Sequence, residues 1–311
     1  MTHVDHFLAE PTTHLPARRT GSIRRTSHVD MITHVDGTLE LRGAASDPGG
    51  AVSCRALVRS LRDRVLTTLE LDPDVARSEE LLGLVVGRGF RAVVDDLCEP
   101  ATLPWVVLSE LPIAALLSGY ASLYTGEYPS PLPDAMVAGF PVDICAGWAA
   151  PGSFMMQIRS TRDMPTPSGP AVPAGDLNAS WHPMPPLAPG SMRRQRLLSR
   201  DGNAVWAMFR DSYAPPEGPV TVLHEYTLTA TLTDDERIAS CVAVPKVLPW
   251  TECPQAAASA GRLVGRSVSE LRAMVKEELV GTSTCTHLND LLSSLAQLDH
   301  LVESPRAAQG R

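Results

Sequence analysis

No stretch of the sequence approaches about eighteen uninterrupted apolar residues, which argues against a membrane-spanning helix. The first twenty residues lack an apolar core and carry Asp5 and Glu10 early, so no secretory leader is expected there. No C-x-x-C pair occurs, which weighs against a zinc ribbon and a thioredoxin-like redox site. A glycine-rich phosphate loop, a G-x-S-x-G elbow and an H-E-x-x-H helix are also missing. Positive charge is short: 27 Lys and Arg face 35 Asp and Glu, for a net charge of −8. A dedicated nucleic-acid surface needs a basic face, so none is expected. Arg18, Arg19, Arg24 and Arg25 form a local basic stretch that reads as solvated.

Six cysteines, at 54, 98, 145, 241, 253 and 285, are spread too thinly for a small disulfide scaffold. A reducing cytoplasm is the natural compartment, with the thiols free or on a metal. Hydrophobic residues make up 44% of the 311 and charged residues 20%, so most of the chain should fold.

Three kinds of pattern follow one another along the chain. Residues 1–20 carry little apolar content and read as a disordered tail. Alternation from Ile23 to Met31, the turn signal Asp36-Gly37 and Leu39 and Leu41 predict a hairpin over about 23–43. Leu57, Leu61, Val65, Leu69 and Leu71 suggest an amphipathic helix, and Phe90, Val93, Val94 and Leu97 a second short one. Val106 to Tyr124 is the most apolar run, and Pro112 should bend or restart its helix. Residues 128–189 are rich in proline and glycine, as in a lid, binding loop or linker. Asp201-Gly202 marks another hairpin, and Val220 to Thr233 alternates as the clearest strand, returning over Ile238 to Val244. Helices are then expected after Cys253-Pro254, at the capping box Ser267 to Glu270, and from Cys285 onward; residues after Ser304 read as a frayed tail. The fold expected is α+β: an antiparallel sheet of hairpins and meander packed with C-terminal helices. It forms one domain over 21–303, with a helical and loop-rich insertion at about 55–190.

Chemistry is expected near the C-terminus. Cys253 and Cys285 each open a helix, where unsatisfied N–H groups and the dipole favour thiolate. His287 follows Cys285 by two residues, and His224 lies on the apolar face of the long strand. Together the four groups match the inventory for zinc or iron. Each also has a plainer reading, as a packed thiol, a satisfied core histidine or a helix cap. Asp30, Asp36 and Asp47 cluster around the first hairpin. Of these, Asp47 is a candidate proton-transfer partner for His224 in an enzyme without metal, acting on an apolar substrate. Arg210, Asp211 and Ser212, with Glu225, could orient a polar ligand or stabilise a turn.

The segment Cys253-Pro254, Gly265 and Thr284-Cys285-Thr286-His287-Leu288, preceded by the strand opening His224-Glu225-Tyr226, resembles a bacterial family known as domain of unknown function 2889. The resemblance is best over residues 23–47 and 192–296. It implies an arginine-led hairpin ending in aspartate, matched by Arg25 to Asp47, and it brings no activity with it. The order of strands and cysteine-led helices also looks like iron–sulfur scaffold proteins, but no third cysteine stands in the strand turn.

The leading expectation is a thiolate and imidazole site in which Cys285 and His287, with Asp47 as a further candidate, do chemistry. Cys253, Cys285, His287 and His224 would hold a transition metal, zinc or iron, or meet a small molecule. The alternative is a non-catalytic small-molecule-binding or interaction protein with structural cysteines. Neither nucleic acid nor membrane is expected as a partner, and the oligomeric state is open.

Overall fold

The computed structural model describes residues 2–17, 21–174 and 181–301. Among the described residues eleven strands form: β1 (Thr2–Asp5), β2 (Leu8–Ala9), β3 (Ile23–Thr33), β4 (Leu39–Asp47), β5 (Gly50–Val58), β6 (Leu66–Asp72), β7 (Pro165–Ser168), β8 (Met192–Asp201), β9 (Ala204–Tyr213), β10 (Thr221–Leu232) and β11 (Ile238–Leu248). Nine of them make one antiparallel sheet in the order β2-β11-β10-β9-β8-β3-β4-β5-β6, while β1 and β7 pair alone, in parallel. The same described residues hold seven α-helices: α1 (Phe90–Leu97), α2 (Leu103–Leu117), α3 (Ser122–Thr125), α4 (Asp134–Gly139), α5 (Ser153–Thr161), α6 (Leu271–Glu278) and α7 (Thr286–Ser294). The fold is α+β.

Hairpin turns at Gly37 and Gly202 sit where the sequence places them, both with positive φ. Between 55 and 72 the chain departs from the helical expectation and forms β5 and β6. The reason lies in the buried set Val52, Cys54, Ala56 and Val58, which repeats every second residue. Leu57, Leu61 and Leu69 are only half-buried. The sheet therefore runs on through a region expected to be an insertion. Pro112 lies inside α2, which continues past it to Leu117. The stretch Leu103–Thr125 is apolar and long enough to cross a membrane by composition, yet 72% of its most apolar window is buried in the protein, as in a core helix.

Helices cover one face of the sheet. On that face α2 lies over β3, β4 and β5, where Gly43 admits it: a Cβ there would meet Cys54 Sγ at 2.9 Å and Val107 Cγ1 at 3.0 Å. The C-terminal elements, led by the 3₁₀ helix Cys253–Leu263, pack beside it over β10 and β11 through Ala256, Ala260 and Leu263. The opposite face is mostly polar, apart from a small apolar cluster of Trp181, Leu197 and Met208, and is covered by extended chain. Thr12 donates its N–H to Glu225, Arg210 donates to the Thr12 carbonyl, and His6 hydrogen-bonds the Leu223 carbonyl. Residues 5–15 are thus tied to the sheet, against the expectation of a disordered tail. The expected frayed tail after Ser304 lies outside the described residues.

Glu40, on β4, shows what a buried carboxylate needs in this fold. Burial alone would raise its carboxyl, but hydrogen bonds from Arg42, Arg55 and His34 hold it down at about 2. A depressed folded value contributes stability above the unfolded value of 4.5 that is lost as pH falls toward 2. Because the three partners are 42–54% exposed, screening limits the effect to about 1 kcal/mol. Denaturant titration should show Glu40→Gln less stable than wild type at pH 7, with the two converging near pH 2.

Candidate functional site

The site begins as a row across the sheet. His224, Asp211, Arg194, Val29 and Gly43 stand directly opposite one another on neighbouring strands. Directly paired residues share a face, so this row lies under the helices with the core. The next row on that face holds Tyr226, Phe209, Arg196 and Ser27. Register shifts flank His224: one between Val222 and His224 against β9, one between Glu225 and Tyr226 against β11. Such bulges re-aim side chains, and they recur beside functional sites.

Helix α7 brings the second half. Cys285 is its N-cap, and Asn289 donates its N–H to the Cys285 carbonyl at 2.7 Å. Leu288, Leu291 and Leu292 seat the helix in the core. His287 and Asp290, three residues apart, share one side of the helix, and both reach the charged row. The imidazoles of His224 and His287 stack with centroids 4.0 Å apart. Tyr120, in the 3₁₀ turn after α2, stands edge-on to His224 at 5.0 Å. His224 Nδ1 faces Asp211 Oδ2 at 3.5 Å. Ligand atoms of Asp211, His224 and His287 all lie within 4.8 Å of one another, the grouping with metal-site spacing among the described residues.

Charge around this centre is dense. Arg194, with no exposed surface, lies 3.4 Å from Asp211, 3.5 Å from Asp290, and over the Phe209 ring at 4.5 Å. Asp290 also takes Arg91 at 2.8 Å and Arg196, and Arg196 reaches Glu110 at 3.0 Å. Burial would raise the Asp290 carboxyl, but the three guanidiniums hold it well below the usual range. Both oxygens of Asp211, Nδ1 of His224 and all three Arg194 nitrogens are buried without a hydrogen bond. Each such group costs about 1–3 kcal/mol. Burial, with His224 and Arg194 nearby, keeps the His287 imidazole neutral. Tyr120 and His287 are partly buried, where Asp211 and His224 are buried.

Three of the four residues expected to bind metal meet here, in two ways. His224 and His287 share the close group with Asp211; Cys285 comes in through His287, its Sγ 3.8 Å from Nδ1. Cys253 lies apart from that group. Its sulfur packs where a Cβ on Gly147 would come within 2.6 Å, and its carbonyl accepts from Tyr226. Burial also overrides the helix-terminus effect on which the thiolate expectation rested. It pushes the Cys285 thiol up to about 11 despite the N–H groups of Leu288 and His287, and Cys253 well above its ordinary value.

Asp47 does not pair with His224. It holds Arg25 at 2.7 Å and caps the Gly49 N–H, on β4, four strands away from β10. The aspartate facing His224 is Asp211. Its neighbours Arg210 and Ser212 point to the opposite face by strand alternation, where Arg210 pairs with Glu225 at 2.6 Å. The sequence reading missed Arg194, Arg196, Tyr120, Glu110 and Asp290. A usable signal existed in β8, where Arg194 and Arg196 alternate in step with core residues Met192 and Leu198.

Residues 192–300 match the family model described as a protein of unknown function (DUF2889), and so contain β8 to β11 and the C-terminal helices. No curated protein and no solved structure matches the chain.

Proposed function

We propose that this chain, whose residues 192–300 match the DUF2889 family model, holds one divalent transition metal, zinc or iron, on Asp211, His224 and His287. One observation carries the reading: a fully buried carboxylate with no hydrogen bond on either oxygen lies where two imidazoles converge. Two imidazoles and a carboxylate suit zinc and iron(II), and imidazole must be neutral to ligate. Arg194 faces Asp211 Oδ1, while Oδ2 faces His224 and remains for the metal. Cys285, protonated in its buried setting, orients the His287 ring as an outer partner.

With Asp211, His224 and His287 as its protein ligands, a metal held there would supply Lewis-acid chemistry toward a carbonyl or water. A small molecule would reach it past Tyr120 and His287, both partly buried. Cobalt(II) titration followed by visible absorption tests the assignment. Wild type should saturate at one equivalent; His224→Ala and Asp211→Ala should abolish the bands, and Cys285→Ser should keep them. Bands that survive His224→Ala, or no saturable signal, would leave a metal-free Asp211–His224 pair.

A further inference from the structure

A separate feature lies on the surface, between α1, α2 and α6. There the chain forms an open groove of about 840 Å³, within the range of small-molecule sites, about 300–1,000 Å³. Its floor is apolar: Pro112, Ile113 and Leu116 come from one stretch of α2, and Leu116 is 51% exposed. Its walls are basic. Arg64, Arg88, Arg91, Arg272 and Lys276 line it against two acids, Asp95 and Glu277, in a chain whose net charge is −8.

Partners already claim part of this charge. Arg272 pairs with Asp95 and stacks on Trp105, and Arg91 reaches inward to Asp290 and the Ser109 carbonyl. Arg88 and Lys276 are exposed and form no ion pair with any described residue. Two uncommitted cations thus line the same groove as the apolar residues of α2, in a chain of net charge −8.

We infer that this groove binds an anionic amphiphile: a small molecule with a phosphate or carboxylate head and an alkyl tail. The head lies between Arg88 and Lys276, where burial of the tail beside it limits screening of the charge. The tail covers Leu116, Ile113 and Pro112, so the exposed leucine leaves water. Ala92 and Ala273 are small enough to leave the floor open between the helices. The inference is independent of a metal on His224 and His287, because no groove residue is a proposed ligand.

Isothermal titration with decyl phosphate, decanoate, decyl maltoside and inorganic phosphate, each below its micelle concentration, tests it. The expected result is one saturable site for decyl phosphate or decanoate. Decyl maltoside, with the same tail and no charge, and inorganic phosphate, with no tail, should bind at least about tenfold more weakly. A preference for decyl phosphate over decanoate assigns a phosphate head, and the reverse a carboxylate. The double variant Arg88→Glu/Lys276→Glu and the single variant Leu116→Asp should each weaken binding at least about tenfold. All three positions are exposed, so a retained circular dichroism spectrum shows that the fold persists. Equal binding of decyl maltoside, affinity unchanged by the double charge reversal, or no saturation by either anionic amphiphile would overturn it.

Discussion

Asp290→Ala should lower the stability of the protein by about 3–5 kcal/mol in denaturant unfolding at pH 7, more than any other single acidic substitution. Asp290 is 8% exposed and is shared by Arg91, Arg194 and Arg196. Two of those guanidiniums, on Arg194 and Arg196, are themselves buried. Attraction across a buried pair repays its desolvation only while both charges are present. Removing the carboxylate leaves three guanidiniums with two nearby acids, Glu110 on Arg196 and Asp211 on Arg194, and leaves Arg91 with no carboxylate in the cluster. Asp290→Asn keeps the shape but not the charge, so it should lose nearly as much. A loss below about 1 kcal/mol for both would mean that the cluster is hydrated and its charges are screened.

Zinc should stabilise the wild-type protein by about 4 kcal/mol when free metal stands about 1,000-fold above its dissociation constant, because only the folded chain assembles the three ligands. The ligands come from β9, β10 and α7, so unfolding separates them. His224→Ala and His287→Ala should show no such gain. Cys285→Ser should keep most of it, since the sulfur touches His287 and lies outside the close group. Differential scanning calorimetry with and without chelator reads the difference directly. Equal gains in wild type and His224→Ala would place the zinc elsewhere.

The strands and the site were legible to different degrees, for physical reasons. Period-two alternation and turn residues are local signals, so β3, β4 and β8 to β11 could be read directly. Leu57, Leu61, Val65 and Leu69 repeat every fourth residue and imitate a helix, but pairing with β4 claims Val52 to Val58 for the sheet. His224 stands out because imidazole on an apolar strand face needs a partner, and His287 because it follows Cys285 by two residues at a helix start. In sequence Asp211 reads together with Arg210 and Ser212 as a polar-ligand or turn group, whereas strand alternation sends Asp211, alone of the three, to the core face. Tyr120 and Arg194 carry no local signal that ties them to His287, since only the sheet register and the seating of α7 bring them together. The Cys285 thiol was misjudged for a related reason. A helix terminus can be read from sequence, but the depth of its burial cannot.

Elemental analysis of protein purified without chelator is the most direct measurement of whether Asp211, His224 and His287 form a metal centre. Wild type should carry close to one equivalent of zinc or iron per chain, and His287→Ala and Asp211→Ala variants that remain folded should lose it. Wild-type protein with no transition metal, and none taken up on dialysis against zinc or iron(II), would contradict a metal centre there.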